Sequence, residues 1–338
     1  MTVEPATSIP GLSVRPFDPG RDYGRIAELL RVTNLHDGTE WLPSEEVLRD
    51  EWQPTARFEP STDVIVAEVG RRAVGVADTA WRIRGDGVTH EVKPLVHPEL
   101  RGRGLGRLLL TRIEDRARAA AREAERVDPG LAHRPHHLTV FAEDQVLAAA
   151  DLATSAGYAR HTYGFLMRRP LATPIEPASL PPGVDVRPVR PEDHRAIWDA
   201  DTEAFLDHAE PAVRDEEDFV RWFGQPAIDT SLWRVAWAGD DVAGSVMTFV
   251  WADENERLGV RRAWLEHISV RRPWRGRGLA RALISDTLRM LADAGFEEAV
   301  LGVHGENPTG AVGLYERCGF EVHRRWTVWR KPLQASRG

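Results

Sequence analysis

Cysteine is nearly absent: Cys318 stands alone among 338 residues. A single thiol excludes an intrachain disulfide and a cysteine-built zinc site. Long apolar runs are lacking too, and no stretch nears the roughly 20 residues of a membrane span. The opening Met1-Thr2-Val3-Glu4-Pro5 has neither the basic start nor the apolar core of a signal peptide. A cytoplasmic protein with no membrane partner is expected. Excess positive charge is missing as well. Lys and Arg number 44 against 52 Asp and Glu, a net charge of −8, which argues against nucleic acid as a partner. Only Lys93 and Lys331 are lysines, so nearly every cation is a guanidinium.

What is present is a repeat. Arg101-Gly102-Arg103-Gly104-Leu105-Gly106 and Arg275-Gly276-Arg277-Gly278-Leu279-Ala280 each open a long Leu/Ala/Arg run. Each follows a short apolar stretch, ending at Val96 or Val270, and then a proline. Strand, glycine-rich turn and helix is a layout in which backbone N–H groups and a helix N-terminus can hold a phosphate. The acidic net charge makes these arginines local anion sites rather than part of a basic face.

The duplication extends along the chain. Gly11-Leu12-Ser13-Val14-Arg15-Pro16 matches Gly183-Val184-Asp185-Val186-Arg187-Pro188, and both read as a first strand. Helix-compatible acidic segments follow, 19–31 and 191–206, the second with Pro191-Glu192-Asp193 as its start. Strands are expected over 64–69 and 73–80, and again over 233–237 and 242–251, each pair broken by a glycine turn. After the glycine loops come strands 138–141 and 299–303, then short helices ending at Gly157 and Gly319. The proline-rich 170–182 reads as a semi-rigid linker. The expected fold class is α/β: two tandem domains, 1–174 and 175–338, each a twisted mixed sheet flanked by helices.

The run of strand, proline, Arg-x-x-Gly-x-Gly/Ala and helix resembles motif A of the GNAT superfamily of acyl-CoA-dependent N-acyltransferases. In the second half, Asn307-Pro308-Thr309-Gly310-Ala311-Val312-Gly313-Leu314-Tyr315-Glu316-Arg317-Cys318-Gly319-Phe320 resembles motif B of the same superfamily. The tandem organisation is similar to that of the mycothiol synthases. The resemblance implies acetyl-CoA as co-substrate, with no metal. It also implies an amine acceptor, either a small molecule or a protein or peptide amine. A mycothiol synthase acetylating a cysteinyl pseudodisaccharide and a non-catalytic acyl-CoA sensor stand as alternatives.

By this resemblance Arg275, Gly276, Arg277, Gly278 and Ala280 hold the CoA pyrophosphate, and Arg101, Gly102, Gly104, Gly106 and Val96 repeat the loop. The backbone around Ile268 to Val270 polarises the thioester carbonyl, and Asn307 bonds the pantetheine arm. Tyr315 protonates the leaving thiolate. Glu266 lies on the strand before the loop, and alternation puts Glu266, Ile268 and Val270 on one face. It is the candidate general base, because an ammonium must lose a proton before its nitrogen can attack. His267 has the opposite parity and reads as a packing or surface histidine. His304 is the second-choice base. An acceptor pocket is expected near 205–225, where Asp207, Glu210, Asp215, Glu216, Glu217 and Asp218 suit a cation.

The halves are not equivalent. Alignment puts Val92 opposite Glu266, Pro94 opposite Ile268, Gln145 opposite Asn307 and Ala153 opposite Tyr315. Proline at 94 also removes a backbone donor. The first half is expected to keep the loop without the chemistry, which belongs to the second.

Overall fold

The computed structural model describes residues 7–225, 228–306 and 310–333. Asn307 therefore lies outside the described residues. The chain forms two compact units, Met1–Thr162 with Trp326–Gly338, and Tyr163–Arg325.

The first unit opens with β1 (Leu12–Pro16), α1 (Tyr23–Asp37), α2 (Glu45–Glu51) and α3 (Pro60–Asp63). It continues through β2 (Val64–Val69), β3 (Arg72–Arg84), β4 (Gly87–Val96), α4 (Leu105–Val127), β5 (His136–Glu143) and α5 (Leu147–Ser155). The chain crosses to the second unit within β6 (Ala159–Pro170). That unit holds β7 (Asp185–Arg187), α6 (His194–Phe205), α7 (Glu216–Phe223), β8 (Arg234–Ala238), β9 (Asp241–Phe249) and α8 (Ala252–Leu258). It ends with β10 (Arg262–Val270), α9 (Leu279–Asp293), β11 (Glu298–His304) and α10 (Ala311–Arg317). The chain returns to the first unit within β12 (Glu321–Pro332).

The sheet of the first unit runs β1-β2-β3-β4-β5-β12, and that of the second runs β7-β8-β9-β10-β11-β6. In each, one neighbouring pair is parallel, β4 with β5 and β10 with β11. The mixed α/β class is as expected, and the two sheets share one strand order. The division at 174/175 and the compact units differ in one respect: the closing strands are traded. The last strand of the chain, β12, pairs with β5 from Pro332 opposite His137 to Trp326 opposite Glu143. Strand β6 instead pairs with β11, from Pro170 opposite Glu298 to Gly164 opposite His304.

Helix α4 forms because Leu105, Leu108, Leu109, Ile113, Ala117, Ala121 and Ala124 recur at three- and four-residue spacing and are all buried. Those from Leu105 to Ala117 pack on Ala77, Val92, Leu138, Val140 and Trp329, and Ala124 packs with Val88 and Leu131. Helix α9 repeats this with Leu279, Ala282, Leu283, Leu288 and Leu291. It lies with Ala243, Val246, Leu265, Leu301 and Met167 in one cluster. The opposite face of the second sheet is aromatic: Trp233, Trp237 and Phe249 are buried with Ile197 of α6, with Trp222 beside them.

Candidate active site

The two glycine loops adopt one conformation. Gly102 and Gly104 have φ of 73° and 86°, and Gly276 and Gly278 have φ of 70° and 82°. A Cβ at Gly276 or Gly278 would meet nothing within 4 Å, so backbone conformation rather than crowding demands glycine there. Gly104 and Gly278 are the N-caps of α4 and α9, whose first N–H groups have no partner within the helix. Gly106 differs: a Cβ there would lie 3.3 Å from Leu152, so its role is close packing. Ala280, its counterpart, is half-buried.

The first arginine of each loop is committed to protein. Arg275 Nε donates to the carbonyl of Val270 at 2.9 Å, and its other nitrogens bond Asp207 and the carbonyl of Ala204. Arg101 Nε donates to the carbonyl of Val96 at 3.2 Å, and its two terminal nitrogens hold both oxygens of Asp37 at 2.6 Å. Their side chains tie the loop to the preceding strand and first helix. Their own backbone N–H groups donate to the carbonyls of Pro98 and Arg272 at 3.3 Å, so an anion is left to the glycine N–H groups and the helix start that follow. Arg277 is exposed, 5.0 Å from the ring of Trp274.

Strands β10 and β11 diverge beside the second loop. Their parallel ladder covers Arg262 to Trp264 against Glu298 to Val300, and among the described residues it goes no further. Beyond Trp264, alternate N–H groups of β10 face the resulting gap, while the other edge stays paired with β9 through Ile268, Ser269 and Val270. The open strand edge, two left-handed glycines and a helix N-terminus together fit an extended ligand ending in phosphates.

Glu266 occupies a β-bulge. Leu265 pairs with Thr248 and His267 with Met247, leaving Glu266 as the extra residue. Ile268 and Val270 pack against the α9-side core and His267 turns to α6, as alternation placed them; Leu265 joins the same core as Ile268, so the alternation breaks at Glu266. The Glu266 carboxyl keeps accessible surface yet is crowded by protein. Burial pushes its pKa up, opposed by His267 and a hydrogen bond from Trp251. Solvent at the exposed edge moderates that rise.

Tyr315, on α10, is buried against the α9-side core, its ring 6.2 Å from Phe320 and nearly edge-on. Burial, with Cys318 adding to it, raises its pKa to about 12, so the phenol stays protonated at neutral pH. Among the described residues its hydroxyl has no hydrogen-bond partner. Ala153 occupies the corresponding turn of the first unit. Tyr158 N donates to Ala153 O at 3.0 Å, as Phe320 N donates to Tyr315 O at 3.0 Å. The strand counterparts differ likewise. β4 pairs with β3 without a bulge, Val92 is fully buried, and Pro94 lies opposite Ala77.

The acidic residues expected around an acceptor pocket are largely committed elsewhere. Asp207 bonds Arg272 and Arg275, Asp215 and Asp218 form the capping box of α7, and Glu216 pairs with Arg195. A different set lies on this face. His267 Nδ1 is 2.7 Å from Asp201 Oδ2, and the same oxygen accepts from Arg214 at 2.8 Å. Burial pushes the Asp201 carboxyl up, but His267 and Arg214 outweigh it and hold it below the ordinary value. Alternation set His267 apart from Ile268 and Val270, but its partner lies 66 residues away and no local pattern points to it. Among the described residues no cluster of His, Cys, Asp and Glu could hold a metal ion, and no helix is long and apolar enough to cross a membrane.

Twice in one chain, a mixed sheet with one splayed parallel pair leads through a left-handed glycine turn into a helix. That architecture defines a tandem acetyltransferase fold. Residues 26–133 and 194–320 match the model of the Acetyltransferase (GNAT) family, and the chain belongs to that family. It is 32% identical over 312 residues to a mycothiol acetyltransferase of Geodermatophilus obscurus, covering 90% of this chain and 93% of that protein. A mycothiol acetyltransferase of Thermomonospora curvata is 28% identical, covering 94% and 97%. Among solved structures, a GCN5-related N-acetyltransferase from Sphaerobacter thermophilus is 27% identical with a TM-score of 0.74, covering 96% of this chain and 97% of that one. A tandem GNAT protein from the clavulanic acid biosynthesis pathway shares the fold, with a TM-score of 0.67 at 19% identity and coverage of 96% and 99%.

Proposed function

We propose that the second unit transfers an acetyl group from acetyl-CoA to a primary amine by direct attack in a ternary complex. The observation that carries this reading is that a crowded carboxylate and a protonated tyrosine occur in the one unit whose β10–β11 gap opens beside a glycine loop. Gly276, Gly278 and the first N–H groups of α9 bind the pyrophosphate, with Arg277 adding charge at the rim. Asn307, by family resemblance, bonds the pantetheine arm.

Acetyl-CoA supplies the activated carbonyl carbon. The open N–H groups between Ile268 and Val270 receive its oxygen as negative charge develops. Glu266, directly or through a water, takes the proton of the ammonium, and its raised pKa brings it nearer the proton it must accept. Tyr315 gives its proton to the departing sulfur. The first unit carries the loop without the chemistry, since Val92 and Ala153 stand where Glu266 and Tyr315 act.

A second reading narrows the acceptor. A relative 32% identical over 90% of this chain is named a mycothiol acetyltransferase, which supports a mycothiol-related amine. The test is thiol release from acetyl-CoA across an amine panel that includes mycothiol precursors. Release with simple amines alone favours the broad reading, and release confined to the precursors favours the narrow one. Tight CoA binding with no release for any amine removes both.

A further inference from the structure

The α6-facing side of the second unit carries a polar cluster that none of these steps uses. His267 is its centre. The imidazole stands between Phe205 at 5.0 Å and Trp222 at 4.6 Å, which fixes its plane. Asp201, 1% exposed, bonds Nδ1. Arg214, which also holds Asp201, lies 5.0 Å from the ring of Trp198 and 5.3 Å from that of Phe205. A carboxylate can only accept, so in the neutral ring Nδ1 carries the hydrogen and Nε2 presents a lone pair. Nε2 has no partner among the described residues, and 15% of the side chain is exposed.

We propose that His267, oriented by Asp201, is a second proton acceptor in the acyl transfer, taking the proton that the attacking nitrogen loses after Glu266 has taken the first. The proposal rests on the amine-acetylation reading above.

The proton count calls for such a group. An alkylammonium first gives one proton to the Glu266 carboxylate. The freed lone pair forms the N–C bond to the thioester carbon, and the C=O π pair moves onto oxygen. The nitrogen is then cationic and must lose another proton, but Glu266 is already neutral. Nε2 of His267 takes it. The oxygen pair restores C=O, the C–S bond breaks with its electrons on sulfur, and sulfur takes the proton of Tyr315. Glu266 and His267 then each hold a proton and Tyr315 lacks one, so one net proton leaves to water with the amide and the free thiol. The bulge makes the two acceptors neighbours, because Glu266 and His267 are consecutive where regular alternation would oppose them.

The charged groups around His267 are Asp201 on α6, Arg214 and His208 from the α6–α7 connection, and Glu266 on its own strand. Trp222 of α7, Phe205 of α6 and Met247 of β9 bring no charge.

The test exchanges the nucleophile on the full-length protein, with thiol release from acetyl-CoA as readout. A primary alkylamine arrives as an ammonium, whereas an arylamine or hydrazide arrives neutral and needs only the second acceptor. Glu266→Gln is expected to lose about 100-fold with the alkylamine and to recover most of it with the neutral nucleophile. His267→Asn keeps an N–H toward Asp201. It is expected to lose about 100-fold with both nucleophiles, at unchanged CoA affinity, with the acid limb of kcat/KM less steep. Activity of His267→Asn within about threefold of wild type on both nucleophiles overturns the proposal and leaves the functional reading standing. No transfer to any amine by the wild type overturns that reading and this step with it. Imidazole nitrogen NMR of the wild type and of Asp201→Asn adds an arm independent of turnover. Hydrogen on Nδ1, with that preference lost in Asp201→Asn, supports the proposal, and hydrogen on Nε2 overturns it.

Discussion

Arg275 and Asp207 form an ion pair that spans from the second glycine loop to the end of α6, and Arg101 with Asp37 repeats it in the first unit. In both copies the same guanidinium also caps the carbonyl that ends the preceding strand. The arginine that looks like an anion ligand in sequence is thus a brace, and the glycines it steadies present the backbone.

Removing the brace therefore acts on the ligand through the loop. Arg275→Ala leaves Asp207 and the Val270 and Ala204 carbonyls short of a donor. Its CoA affinity should fall by roughly tenfold, the size of one net hydrogen bond. Arg275→Lys should not restore it, because a single ammonium cannot reach three acceptors in fork geometry. Arg277→Ala, at an exposed side chain, should change affinity less. Calorimetric titration with CoA decides between them, and a larger loss at Arg277 than at Arg275 contradicts the brace.

The turn chemistry of these loops was legible from sequence because it is local: two glycines, a preceding proline and a helical run suffice. Strands 64–69 and 299–303 were legible for the same reason, being short β-branched runs between breakers. Two features were not. The bulge at Glu266 adds one residue to an otherwise regular strand, so counting by two groups Glu266 with Ile268 and Val270 although the register breaks at that residue. The trade of β6 and β12 was hidden because both follow the same helix, glycine and aromatic turn and both end in a basic residue and proline. Nothing in either strand alone says which sheet edge it will join. Nor did spacing reveal Asp201, which lies 66 residues from the histidine it orients.

Tyr315 lends itself to a single-atom test. Tyr315→Phe retains the ring against Phe320 and the α9-side core, so folding and CoA affinity should persist. Turnover should drop by about 100-fold if the hydroxyl is the acid. Because its pKa is raised to about 12, the wild-type phenol should not limit activity at mildly alkaline pH. Unchanged kcat in the phenylalanine variant would remove the hydroxyl from the mechanism.

The traded strands make a prediction about where damage appears. Trp329 on β12 is 7% exposed and belongs to the core of the first unit, although it lies beyond the second unit in sequence. Its neighbour Lys331 bonds the buried Glu114 of α4 at 2.6 Å. Trp329→Ala should cost about 3–5 kcal/mol. Amide exchange should quicken first in β4 and β5, before β10 and β11. Faster exchange confined to β10 and β11 would contradict the assignment of β12.

A buried histidine pair in the first unit sets a pH dependence of known sign. His90, 1% exposed, stacks on His136 with ring centroids 5.3 Å apart and Nε2 3.1 Å from its Nδ1. Burial, reinforced by His136, lowers the pKa of His90 from 6.5 to about 3. Between those values the unfolded chain binds the additional proton, so stability rises with pH across the window and is lost as pH falls through it. Above the unfolded pKa both states are neutral at His90 and the effect vanishes. The loss from this group is at most on the order of 4–5 kcal/mol when the window has been crossed. His90→Gln cannot take up that proton, so its stability should depend less on pH between about 6.5 and about 4. Urea unfolding at a series of pH values measures both slopes. Equal slopes for the two proteins would mean that the acid sensitivity of the first unit arises elsewhere.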